Sequence, residues 1–261
     1  MDLIALLGAD ADLQATLASV TDSSFHFQPS AANSTPESVL RALEPLNFAG
    51  AAVLDPELQK AIFSQVERPS VNAQKAGAVD TVIVTAAGLV GEYTLGQALG
   101  ELLLSSSWNV RGARGVVVGG GAEANACARE LASLGLNHLS VLGKSKAAAE
   151  QVSAGLAATT QTLGAALKSP IAATYIEQAD ILLRCDAAAD IPSQLLGPHL
   201  SVIDLSPTSL SALRESALKV GAKTLGARDV WAYQMMLITR QILGRRLEPA
   251  PFLELFHTQV S

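Results

Sequence analysis

Three consecutive glycines, Gly119-Gly120-Gly121, separate the apolar run Gly115-Val116-Val117-Val118 from an alanine-rich stretch over residues 122–134. Three valines in a row read as a strand buried on both faces, glycine permits a sharp turn, and alanine favours a helix. Strand, turn and helix N-terminus together aim backbone N–H groups and the positive end of a helix dipole at one spot, which is chemistry for a pyrophosphate. Gly119, Gly121 and Ala124 fill the G-x-G-x-x-G/A spacing, and Gly120 and Ala122 keep the rest of the turn small. A second strand over 138–142 completes a βαβ unit and runs into Gly143-Lys144-Ser145-Lys146, with no acidic residue. Proteins that take the unphosphorylated dinucleotide usually carry an acid at that strand end. A ribose 2′-phosphate would instead meet the cations of Lys144 and Lys146 and the hydroxyl of Ser145, so NADP is favoured over NAD. The alternative is a structural glycine turn that has lost its ligand, with the lysines as solvated charges. Glu123 speaks for that alternative, because its carboxylate suits the helix dipole but would repel a phosphate if turned inward.

The surrounding pattern supplies the elements that hold this turn. Strands are expected at 3–7, 25–29, 48–54, 76–84 and 89–93, the last two joined by a tight turn at Ala86-Ala87-Gly88. Helices are expected over 10–20, from Pro36 to Leu43 and over 58–65. A helix over 97–105 leads into the glycine-turn strand. Beyond the βαβ unit come a helix over 146–158, a short strand near 161–163, strands at 180–183 and 200–204, and a helical tail over 229–247. Strands alternating with helices indicate α/β architecture with parallel sheets. The expected organisation is an N-terminal α/β domain made of 1–95 and 230–261, plus a Rossmann-type doubly wound nucleotide-binding domain over 96–229.

The chain has 261 residues, of which 49% are hydrophobic and 16% charged, and its mean hydropathy is +0.31. So apolar a composition implies a large interior or an oligomer interface. No apolar run reaches the ~18–20 residues of a membrane span, and the opening Met1-Asp2-Leu3-Ile4 has no basic secretory region. A net charge of −6 with four histidines argues against a nucleic-acid partner. Cys127 and Cys185 are too few for a disulfide scaffold, so reduced thiols and a cytoplasmic location are expected. No Cys/His cluster has metal-ligand spacing. A monomer or homodimer acting on a small molecule, without membrane or nucleic acid, is the expected partner set.

Several segments, in order, resemble the shikimate/quinate dehydrogenase family over nearly the whole chain. Gly50-Ala51-Ala52-Val53-Leu54-Asp55-Pro56-Glu57-Leu58 occupies the slot of the family run Asn-Val-Thr-x-Pro-x-Lys. Ala76-Gly77-Ala78-Val79-Asp80-Thr81-Val82 resembles Ile-Gly-Ala-Val-Asn-Thr-Val, and residues 89–96 resemble Leu-Val-Gly-Tyr-Asn-Thr-Asp-Gly. Gly143-Lys144-Ser145 matches the family's Asn-Arg-Thr/Ser motif, and Gln234 falls where a substrate-binding glutamine precedes the last helix. The resemblance implies a substrate-binding first domain, an NADP-binding second domain, and hydride transfer between shikimate and 3-dehydroshikimate.

The departures bear on chemistry. The family's acid/base lysine aligns with Leu58 and its partner aspartate with Leu95, and isobutyl side chains move no protons. The asparagine and threonine of the first run are Ala52 and Leu54, and the asparagine of the second is Asp80. The Ser-x-Ser that holds the substrate carboxylate has no counterpart near residues 7–13, and Asn-x-Thr-Pro after the fourth nucleotide-domain strand reads Arg184-Cys185-Asp186-Ala187. Lys60 is no replacement for Leu58, because two helical positions turn it by roughly 200°. The catalytic residues are therefore open. The candidates are Asp80 with Tyr93 as donor, and Asp80 with Gln234 as substrate contacts; the plainer readings are a hydrogen-bonded strand-end aspartate and a glutamine that only caps the helix. The expectation is a shikimate-dehydrogenase-like, NADP-dependent oxidoreductase with altered or lost activity on shikimate. The alternative is a non-catalytic nucleotide-binding or regulatory protein on the same fold.

Overall fold

The computed structural model describes residues 1–20, 24–31, 34–156, 160–208 and 210–258. The chain forms two compact units, Met1–Leu95 with Ala232–Ser261, and Gly96–Trp231.

In the first unit, β1 (Asp2–Leu7), α1 (Ala11–Ala18), β2 (Phe25–Pro29), α2 (Pro36–Leu43), β3 (Phe48–Val53) and α3 (Pro56–Phe63) follow one another. They are succeeded by β4 (Arg68–Pro69), α4 (Val71–Ala76), β5 (Thr81–Thr85) and β6 (Gly88–Glu92). The sheet order is β2-β1-β3-β5-β6-β4. It is mixed rather than parallel throughout: β1 lies parallel to β2 and β3, whereas β5 runs antiparallel to both β3 and β6. The hairpin at Ala86-Ala87 accounts for the β5–β6 pairing, since a two-residue turn can only join antiparallel strands.

The helix starts follow local chemistry. Asp10, Thr35, Asp55 and Ser70 each cap a helix by accepting from a backbone N–H two or three residues on. Ser70 also explains a departure from the sequence pattern. The expected strand over 76–84 begins only at Thr81, because Ser70 opens α4 and Gly77, left-handed at φ 67°, closes it.

The second unit contains α5 (Leu95–Ser105), which starts on the last residue of the first, then β7 (Arg114–Val118), α6 (Gly121–Ser133), β8 (His138–Gly143) and α7 (Lys146–Ser153). Next come β9 (Gln161–Ala166), α8 (Pro170–Glu177), β10 (Ile181–Arg184), β11 (Ser201–Asp204), α9 (Ala212–Lys219) and β12 (Lys223–Gly226). Helices α10 (Ala227–Leu243) and α11 (Ala250–Thr258) carry the chain back into the first unit. All pairings of the second sheet are parallel, in the order β12-β11-β10-β7-β8-β9. Val116, Val117 and Val118 are at most 1% exposed, as a central strand covered on both faces requires.

Three further boundaries differ from the sequence pattern by three residues or more. Helix α7 stops at Ser153 rather than 158, residues 157 and 158 lying outside those described; β9 extends to Ala166; and Gly244, at φ 62°, ends the tail helix before 247. Among the described residues no helix is long and apolar enough to cross a membrane.

Candidate functional site

The second sheet reverses its direction of growth between β7 and β10, and ligands of open α/β sheets bind beyond the carboxyl ends of the strands at such a point. The glycine turn lies there. Gly119 has φ 145° and Gly121 φ 75°, both in the range that favours glycine. A Cβ on Gly119 would lie 3.0 Å from Cys185 Cβ and 3.2 Å from the Asp186 nitrogen, so a side chain would push the β10 loop away. A Cβ on Gly121 would meet nothing within 4 Å, because the position faces open space. Gly120 is the N-cap of α6 and, being a glycine, offers no side-chain cap to the first-turn amides. Ala124 is fully buried, as a helix packed closely on its strand requires, while Ala122 is half-buried.

Beside the turn opens a cavity of about 880 Å³ whose wall includes Gly119, Lys144, Lys168, Asp186 and Asp190. Lys144 reaches it from the β8–α7 loop, with Nζ 3.5 Å from Asp186 Oδ2. Ser145 caps α7 by accepting from the Ala148 N–H at 3.2 Å, and Lys146 pairs with Glu150 at 3.4 Å. Lys168, in the turn between β9 and α8, is a cavity-lining cation that the sequence pattern does not single out, because that pattern ends β9 three residues too soon.

Arg184 and Asp204 end the adjacent strands β10 and β11, in register with each other. Their side chains form a buried two-pronged pair, Nε to Oδ1 at 2.9 Å and Nη2 to Oδ2 at 2.7 Å. Asp204 also accepts from the Ser206 N–H at 3.0 Å and from the Ser211 hydroxyl. Burial alone would raise its carboxyl; the hydrogen bonds from Arg184, Ser211 and Ser206 outweigh that and hold it below the usual range.

Next to this pair the Cys185 thiol is pushed well above the ordinary thiol range, first by its hydrogen bond with Cys127 and then by burial. Thiolate is the reactive form. Cys127 is fully buried and the half-buried Cys185 is held as the unreactive thiol, so both should resist Ellman's reagent in native buffer and react only after guanidinium unfolding. Rapid native labelling of either one would refute this.

In the first unit, Asp80 is fully buried at the entrance to β5. Its Oδ1 accepts from the Thr81 hydroxyl at 2.7 Å. Its Oδ2 accepts from the Thr94 N–H at 2.7 Å, the Thr94 hydroxyl at 2.9 Å and Gln234 Nε2 at 3.0 Å. Burial raises the carboxyl above its usual value, and the four hydrogen bonds only partly offset that. Asp80 and Gln234, both singled out by sequence, thus contact each other, while Thr81 and Thr94 were not foreseen as partners. Tyr93, one residue before Thr94, is itself buried. Leu95 is 4% exposed and Leu58 half-buried, and Lys60 pairs on the solvent side with Glu57 at 2.7 Å. Among the described residues no group of three or more His, Cys, Asp or Glu side chains is placed to hold a metal ion.

No family model matches the chain. The shikimate dehydrogenase (NADP(+)) of Methanosarcina acetivorans is 30% identical over 168 residues, which are 63% of this chain and 57% of that enzyme. The chain therefore matches less than two thirds of this relative's length. A quinate dehydrogenase from Corynebacterium glutamicum, solved in complex with NAD, superposes with a TM-score of 0.84 at 20% identity, covering 98% of this chain and 99% of that one. Shikimate 5-dehydrogenase from Thermus thermophilus, solved with NADP(H) and shikimate, gives a TM-score of 0.79 at 21% identity with 99% of each chain covered. At these identities the solved structures speak for the fold, an α/β first domain and a Rossmann-like second one, as the sequence led one to expect.

Proposed function

We propose, with kinship to the shikimate/quinate dehydrogenases as the premise, that this chain binds NADP through its second unit and is an oxidoreductase of that lineage whose turnover of shikimate is lost or strongly reduced. The observation that carries the nucleotide half is the glycine turn. Gly119 and Gly121 hold left-handed backbone, the N-cap of α6 is a glycine with no side chain to cap it, and the adjoining cavity presents Lys144 and Lys168. Backbone amides at a helix start suit a pyrophosphate, and two lysines suit a ribose 2′-phosphate. When bound, the nicotinamide gives or takes the hydride, and the protein contributes binding and orientation.

The first unit supports the loss of activity. A general acid/base must hold an exchangeable proton within reach of the reacting hydroxyl, and Leu58 and Leu95 hold none. Asp80 has four donors on its two oxygens. That saturation favours a second reading, a nucleotide-binding protein without catalysis.

The test is a fluorescence titration with NADPH and NADH, followed by assays with shikimate and quinate. NADPH should bind more tightly than NADH. Removing both cations (Lys144→Ala with Lys168→Ala) should weaken NADPH about tenfold, or about 1.4 kcal/mol, and leave NADH nearly unchanged. Shikimate turnover at the rate of an efficient dehydrogenase would overturn the reading of the first unit. Restoring the family pair, Leu58→Lys with Leu95→Asp, should leave shikimate oxidation at background. Ala52 and Leu54 would still lack the family's polar groups, Asp80 would still carry a carboxylate where the family has an amide, and a carboxylate at buried position 95 is costly to ionise.

A further inference from the structure

Arg184 stands where the resemblance expects an asparagine, and its position is the switch point of the second sheet. Besides gripping Asp204, its Nη1 donates to the Ala189 carbonyl at 3.3 Å. Ala189 belongs to the loop over 185–190, of which Asp186, Ala188, Ala189 and Asp190 wall the cavity beside the glycine turn. The start of this loop is tied to the turn strand as well, the Cys185 and Asp186 N–H groups donating to the Val118 carbonyl at 2.8 and 3.3 Å. On the other side, Asp204 holds the loop after β11 through the Ser206 N–H and the Ser211 hydroxyl. One ion pair therefore sets two loops at the carboxyl edge of the sheet.

Buried ion pairs add little net stability compared with apolar packing of the same volume, and their best-attested contribution is to specify geometry. A guanidinium bound through two nitrogens fixes orientation as a single-point cation does not. We propose that Arg184 and Asp204 are positioning residues for the nucleotide: they lock the 185–190 loop in the one arrangement that leaves the cavity open to the adenosine end of a dinucleotide. The proposal rests on the nucleotide reading above.

Its consequence is a separation of affinity from stability. If the loop spends only a tenth of its time in the competent arrangement, apparent affinity falls about tenfold even though every contact remains available. Arg184→Met with Asp204→Asn removes both charges together, so neither is left buried alone. Arg184→Lys keeps the cation and loses the fork. Binding of NADPH and of adenosine 2′,5′-bisphosphate, which probes the cavity alone, would be measured by calorimetry beside thermal unfolding. Amide exchange at Ala188 and Ala189 would be followed without nucleotide.

The double variant should still unfold cooperatively and should bind both ligands about tenfold more weakly or worse, with Arg184→Lys in between. Exchange at Ala188 and Ala189 should quicken in the same order. Wild-type-like affinity in the double variant, with wild-type protein binding normally, would overturn the proposal and leave the nucleotide reading standing. Unchanged exchange at those two amides would overturn it as well, whatever the ligands do. If wild-type protein binds neither ligand, the nucleotide reading fails and the proposal fails with it.

Discussion

Gly121→Val should weaken NADPH binding at least about 100-fold, which corresponds to about 2.7 kcal/mol, while the protein stays folded. The open space beside Gly121 is what separates these two effects. A β carbon there clashes with nothing within 4 Å, so packing is undisturbed. The cost to folding is backbone strain alone, about 1–3 kcal/mol for a branched residue at positive φ. The valine methyls would, however, fill part of the open space at the start of α6, whose first amides a pyrophosphate has to approach. Calorimetric titration with NADPH, paired with a melting curve, reads both quantities. Wild-type affinity in this variant would mean that no nucleotide uses the turn.

The second large effect concerns Asp80. Asp80→Ala removes the acceptor for the Thr94 N–H, the Thr94 and Thr81 hydroxyls and Gln234 Nε2. A buried donor left unsatisfied costs about 1–3 kcal/mol. The Thr94 amide has no freedom to turn elsewhere, so a loss of about 3 kcal/mol is expected in urea unfolding. Asp80→Asn keeps a carbonyl for Thr94 and Gln234, and its amide can donate to the Thr81 hydroxyl, so the loss should be small.

The two substitutions also differ from wild type in pH dependence. Burial raises the folded-state value of Asp80 above its unfolded one. Such a group contributes stability fully present below its unfolded value and lost as pH rises through its folded value. Asp80→Asn lacks that loss, so it should gain on wild type between pH 4 and neutrality. A deficit that stays constant or widens as pH rises would show that the carboxylate is not penalised by its burial. Asp204 has the opposite sign: its lowered value contributes stability above the unfolded value, lost as pH falls through the folded one. Acid should therefore weaken the second unit through Asp204 while relieving the first at Asp80.

What could be read directly from the sequence was local. The valine strand, the glycine turn and the alanine helix occupy consecutive residues, and each type prefers the conformation it adopts. The start of α2 at Pro36 was legible for the same reason. Helix α4 was not, because Ala78, Val79 and Val82 continue the apolar run past Gly77 and disguise its cap as mid-strand. At the candidate sites, residue type drew notice to Asp80 and Gln234. Their contact joins positions 154 apart in the chain, which no spacing rule reaches. Arg184 was visible as a departure from a family motif, but its partner lies 20 residues on and becomes adjacent only once β10 and β11 pair.

The second unit is one uninterrupted segment, whereas the first is completed by residues 232–261. Synthesis on the ribosome runs from the N-terminus, and domains generally fold as units as they emerge. The Rossmann-like segment can thus finish while its predecessor still lacks two helices. Strand β5 must wait with Asp80 beside it until Gln234 leaves the exit tunnel. During that interval the segment made before the Rossmann-like one is the less mature of the two, and it is there that a chaperone or a protease would find its opening.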